Sequence, residues 1–306
     1  MRSNDSGRML RAALGFAAAL LGLRLYTLLC AVGEDGLLPR GSWVLPLTVL
    51  LSAACFVTLG LLGLRLNRLP GADRCFVGGA WESCGIFAGL LLFAGSLISL
   101  LQTAELGSLN ALLQTRAYAE FALRLSHVLG MASGASMIAV ILLRRNGKNS
   151  YWPQALMSFF MLLSMVLRFR DWSHEPLVIE IVPQLLALIC SMVCVMLISG
   201  FALGVGHRRS SVSFGLCAGI FTLTALPDFL LRGLSAGDLL ICLGLGLWCA
   251  VHALRLLQPD VQNETAPEAA DEAPAPEADA AEPPEAPAVD VGQSEEEAPQ
   301  AYSDPE

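Results

Sequence analysis

Apolar residues fall in long blocks separated by short polar segments, and the blocks recur along residues 9–257. A membrane-crossing helix needs about 20 mostly apolar residues, because each residue rises about 1.5 Å across about 30 Å of hydrocarbon. Eight blocks meet that length: 9–32, 42–64, 84–104, 121–143, 152–169, 177–203, 213–232 and 237–257. Helices are the expected element, since unpaired backbone groups facing lipid cost several kcal/mol each. The pattern therefore predicts an all-α fold, a polytopic transmembrane helical bundle of about eight spans. The fifth block is short, and the first, fourth and sixth carry ionisable residues. The connecting segments are too short to hold a soluble domain.

The first block could be read as a cleaved signal peptide, with Arg2, Arg8 and Arg11 ahead of an apolar run. It is longer than a signal core and contains Arg24, and Leu29 before Cys30 lacks the small residue of a lipoprotein site. Retention as a span is the expectation.

Composition sharpens this picture. The chain is 55% hydrophobic and 15% charged, against about 25% charged in a soluble domain. Residues 259–306 hold 15 of the 27 acidic residues, none of the 19 basic ones and 9 of the 16 prolines. The whole-chain charge of −8 thus divides into +7 for residues 1–258 and −15 for the remainder. Two parts follow: a transmembrane domain, 1–258, and an acidic tail, 259–306. A run such as APEAADEAPAPEADAAEPPEAP has no apolar surface to bury and its like charges repel, which predicts a disordered segment. Asn263-Glu264-Thr265 matches a glycosylation sequon, which has no meaning on the cytoplasmic side.

Lysine and arginine accumulate on the cytoplasmic side of membrane proteins. With eight spans and an internal N-terminus, the inner segments collect twelve basic residues, including RLNR, RRNGK and HRR. The outer segments collect six: Arg40, Arg116, Arg124, Arg168, Arg170 and Arg232. Both termini are expected in the cytoplasm, and the membrane is expected to be a bacterial plasma membrane. Trp43, Trp81, Tyr118, Tyr151, Trp152 and Trp172 fall near span ends, where amphipathic rings prefer the interface. Trp248 sits in mid-span.

Catalytic and metal chemistry find little support. The nine cysteines form no C-x-x-C pair and have no histidine at metal-ligand spacing. Most lie within spans, where cysteine acts as a small hydrophobe. No phosphate loop, zinc helix or hydrolase elbow is present. No catalytic residue, metal, cofactor or nucleic-acid partner is expected; the bilayer is the one certain partner. Four G-x-x-x-G pairs, Gly85/Gly89, Gly130/Gly134, Gly200/Gly204 and Gly215/Gly219, let helices approach closely. They suggest packing within the chain first and homo-oligomerisation second.

The ionisable and polar residues inside spans carry the functional lead. A charge at mid-bilayer costs about 2.5–3.5 kcal/mol, so such residues pair or line a wet cavity. Under the threading above they gather in the outer halves of the helices. The candidate polar pocket comprises Arg24, Arg124, His127, Glu180, Gln184 and Asp228. Arg168, Arg232 and Asp238 lie close enough to helix ends to snorkel instead. Asp228 and Arg232, at i and i+4, could satisfy each other. Arg24 has no acid at i±3 or i±4; Glu180 is its first expected partner and Asp228 its second. Pro183 and Pro227 are expected to break spans six and seven.

One stretch carries a family likeness: MSFFMLLSMVLRFRDWSHEPLVIEIVPQLLALICSMVCVMLISGFALGVGHRRSSVSF. Its marks are an R-x-W-S-x-[NE]-P turn at Arg170 to Pro176, a polar residue at Glu180, and a GFAFG-like end at Gly200 to Gly204. In these features, and in the loop GEDGLL, it resembles a group of uncharacterised multi-pass membrane proteins of anaerobic Gram-positive bacteria. The layout agrees over 9–257 and the motifs over about 155–215. The resemblance implies the helical topology and brings no activity or ligand. The leading functional expectation is a small-solute transporter or ligand sensor with an outward-facing pocket. A scaffold recruiting cytoplasmic partners is the rival, and a membrane-embedded enzyme comes third.

Overall fold

A computed structural model describes residues 3–31, 42–66, 76, 79–110, 117–172, 182–231 and 235–258. The acidic tail and its expected disorder lie outside the described residues, as do Glu180 and Arg232. The described residues form eight α-helices and no strand: α1 (Ser3–Tyr26), α2 (Val44–Leu64), α3 (Ala80–Asn110), α4 (Ala117–Arg145), α5 (Tyr151–Trp172), α6 (Val182–Ala202), α7 (Arg208–Leu231) and α8 (Ala236–Leu257). A single π-helical turn, Thr27–Ala31, continues α1. All eight are long and apolar enough to cross a membrane, so the chain has the architecture of a multi-pass membrane protein. Leu14, Leu50, Leu61, Phe121 and Phe159 are exposed. Lipid is the solvent in which that much exposed apolar surface is stable.

The helices are arranged as a ring with two additions. Helix α3 packs on α4, α4 on α5, α5 on α6, α6 on α7, α7 on α8, and α8 back on α3. Helices α1 and α2 pack against each other and against α7. Helix α7 is consequently the most enclosed, with 67% of its most apolar window buried, against 22% for α1, α2 and α5.

Glycine makes the tightest crossings. A Cβ on Gly134 would lie 2.7 Å from the Gly89 carbonyl oxygen, and one on Gly95 would lie 2.7 Å from that of Gly237. Backbone meets backbone there, which only a missing side chain permits. Gly215 likewise faces Ala253 and Cys249 of α8. Three of the four G-x-x-x-G pairs are therefore used inside the chain. The fourth has a different role. Gly204 has φ +73°, and the Val205 amide donates to the Gly200 carbonyl at 3.0 Å. That is a left-handed C-terminal cap closing α6.

The expected break at Pro227 is absent, and the span-six residues ahead of Pro183, 177–181, lie outside the described residues. Pro183 sits in the first turn of α6, where its missing N–H has no helical partner to lose. Pro227 lies inside α7, which continues to Leu231. It removes one hydrogen bond without ending the helix, because α7 is packed by neighbours along its length.

Candidate functional site

The two ends of the ring differ chemically. At the end where α3, α5 and α7 finish and α4, α6 and α8 begin, a cavity of about 330 Å³ opens between the six ring helices. Each helix contributes residues at helical spacing. Helix α3 supplies Ser99, Gln102 and Thr103; α4 supplies Leu123, Ser126 and His127; α6 supplies Gln184, Ala187, Leu188 and Ser191. Positions i, i+3, i+4 and i+7 share one face, so each of these helices turns a mixed polar stripe inward. Helix α5 adds Phe160, Ser164, Leu167 and Arg168, α7 adds Thr222 and Phe229, and α8 adds Asp238, Ile241, Cys242 and Leu245. Ser235, just before α8, donates from Oγ to Gln102 Oε1 at 2.7 Å and ties the α8 entrance to α3.

The walls hold opposite charges in contact. Arg168 Nη2 donates to Asp238 Oδ1, and the two side chains remain 30% and 33% exposed. Asp238 is in the first turn of α8, where the helix dipole favours an anion, and Arg168 lies near the end of α5, where it favours a cation. Several hydroxyls are already engaged: Thr103 Oγ1 donates to the Ser99 carbonyl at 2.8 Å and Ser126 Oγ to that of Leu123 at 2.7 Å. Ser99 Oγ is buried without a hydrogen-bond partner. The cavity can therefore accept a polar ligand while offering charge, hydroxyl and amide groups at once.

The sequence candidates divide. His127 and Gln184 line the cavity. Arg124 is exposed on α4 and is not among the lining residues. Glu180 lies outside the described residues. Arg24 and Asp228 do meet, but not in the cavity. Arg24 Nε donates to Asp228 Oδ1 at 3.0 Å and Oδ2 at 3.2 Å, and Nη2 to Oδ1 at 2.5 Å. With 7% and 1% exposure, this pair is sealed between α1 and α7. Asp228, the second expected partner, is the acid that holds Arg24. Because α1 is added outside the ring, the pair fastens α1 to α7 and does not touch the cavity.

Residues that sequence reasoning passed over matter more. Arg168 and Asp238 were expected to snorkel, yet they bridge α5 and α8 at the cavity. The serine and threonine stripes were overlooked because, Gln184 apart, only ionisable residues were weighed. The available signal was the i, i+3, i+4 recurrence of Ser, Thr and Gln in otherwise apolar helices.

The opposite end is basic. Arg144 Nη1 contacts His252 Nε2 at 2.9 Å, and its guanidinium lies 4.5 Å from the Phe76 ring centroid. His252 Nδ1 lies 2.8 Å from the Trp248 carbonyl oxygen, so Nδ1 carries the proton and Nε2 accepts from Arg144. Arg208 Nε donates to the Leu256 carbonyl at 2.8 Å and Arg209 Nε to that of Leu66 at 2.7 Å. The last carbonyls of a helix lack intrahelical donors, and these two arginines supply them for α8 and for the end of α2. Arg144, Arg208 and Arg209 are thus fastenings of the bundle, where the sequence suggested loop charges. Among the described residues, no group of His, Cys, Asp and Glu could hold a metal.

No protein family, curated protein or solved structure matches the chain.

Proposed function

We propose that this is a bacterial plasma-membrane protein that binds a small polar solute in an outward-facing cavity, as a transporter or sensor. The observation that carries the reading is the cavity of about 330 Å³ with polar faces from six helices converging on it. Ligand sites are commonly cavities of about 300–1,000 Å³, mostly apolar with a few converging polar groups. The basic segments support the orientation. Arg65, RRNGK and HRR lie toward the end opposite the cavity, and the positive-inside tendency favours cytoplasmic termini and an outward cavity. Polar residues at membrane depth are costly and are retained where they pair or serve a ligand.

The test is a ligand-stabilisation screen on the purified full chain in detergent, using a broad library of small solutes. A binder raises the melting temperature by mass action. The expected hit loses its effect in Ser164→Trp, which fills the cavity from α5. A hit whose effect survives that substitution, or a library with no hit, would overturn the reading.

A further inference from the structure

We propose that the cavity takes a free α-amino acid with an uncharged side chain, its carboxylate on Arg168 and its ammonium on Asp238. This rests on the binding role proposed above. Two ion pairs among the described residues are built differently. Arg24 and Asp228 share three close contacts and are sealed. Arg168 and Asp238 share one, through Nη2 and Oδ1, and both line the cavity about one-third exposed. Among the described residues, Arg168 Nε and Nη1 and Asp238 Oδ2 carry no hydrogen bond. The pair therefore keeps unused guanidinium donors beside an unused carboxylate oxygen on residues that line the cavity.

Charge balance selects the ligand class. A net anion or cation would engage one member of the pair and leave the other short of its counter-charge in a partly desolvated site. An uncharged solute could form only neutral hydrogen-bonding partners for both. A zwitterion gives each an oppositely charged partner as well as a hydrogen bond, which an uncharged solute cannot. Because Arg168 and Asp238 touch, the ligand's charges must also be adjacent, as they are when carboxylate and ammonium share one carbon. Beyond the pair the walls carry no charge and are mainly apolar, with the hydroxyls of Ser164, Ser191 and Thr222 among them. Phe160 is eight residues before Arg168 on α5, and Leu245 is seven after Asp238 on α8, about 10–12 Å deeper at 1.5 Å per residue. That depth suits an amino-acid side chain without charge.

The experiment measures thermal shifts of the full chain in detergent with the twenty common L-amino acids. Parallel probes are the N-acetyl and amide derivatives of any hit, 6-aminohexanoate and glucose. The expected result is dose-dependent stabilisation by one or more amino acids with uncharged side chains. It should be lost on acetylation or amidation and absent with 6-aminohexanoate. Asp238→Asn and Arg168→Gln should each weaken the dissociation constant by about tenfold or more, as loss of one charge-assisted bond implies. If either variant fails to fold, the derivatives decide on the unsubstituted protein. Equal stabilisation by the derivatives or by glucose, lost in Ser164→Trp, would overturn the zwitterion and leave the solute-binding reading intact. No stabilisation by any of these, nor by the broad library, would overturn both.

Discussion

Removing one member of the Arg24–Asp228 pair is the sharpest test of how this bundle is held together. Arg24→Met leaves the Asp228 carboxylate, 1% exposed, without the guanidinium that approaches it at 2.5–3.2 Å. Breaking a buried pair from one side typically costs about 3–5 kcal/mol, whereas replacing both members with apolar residues is often neutral or stabilising. Arg24→Met and Asp228→Leu are each expected to destabilise by about that amount. The double variant should lose less than either alone. The resulting coupling energy should be at least about 2 kcal/mol, well above the about 0.3–0.5 kcal/mol scatter of independent sites. Unfolding of purified protein in mixed micelles, titrated with SDS, supplies the four stabilities of the cycle. Additive single effects would refute the pairing. Ligand stabilisation should persist in the double variant, because neither residue lines the cavity.

Other outcomes follow from the same packing. Gly134→Ala should destabilise by about 1–3 kcal/mol, the usual range for overpacking, because its Cβ would press on the Gly89 carbonyl oxygen and the Phe93 amide nitrogen. Gly60→Ala, which meets nothing within 4 Å, should leave the melting temperature unchanged or raise it, since alanine is the better helix former. Truncation after Gln258 removes 15 acidic residues but no apolar face, so expression and melting temperature should barely change; a large loss would mean the tail docks. In a cysteine-free background, Asp35→Cys should react with an impermeant thiol reagent on intact cells and Lys148→Cys only after permeabilisation. The reverse pattern would invert the proposed orientation.

Eight helices could be read directly from the chain because their cause is local. Each block is apolar over the length that a bilayer demands, and backbone hydrogen bonding in lipid leaves no other element available. The described ends differ from the apolar blocks: α3 runs on to Asn110 and α6 is described from Val182. Gly204 illustrates the limit, since spacing made it half of a packing pair and its positive φ makes it a cap.

The cavity depended on information that no single helix contains. A helix wheel gives the face on which Ser99, Gln102 and Thr103 lie, but not the helix that face meets. Depth alone made Arg24 and Asp228 look like cavity residues. The closing of α3 to α8 into a ring placed α1 outside it, turning Arg24 and Asp228 into a sealed fastening. The same closing brought the end of α5 against the start of α8, so that Arg168 and Asp238, 70 positions apart, became neighbours. Composition and periodicity act within about twenty residues, and so they fix where helices form and which stripe is polar. Which stripes face one another is set by close approaches such as Gly89 on Gly134 and Gly95 on Gly237, whose partners lie 45 and 142 residues apart and are chosen only when the helices assemble.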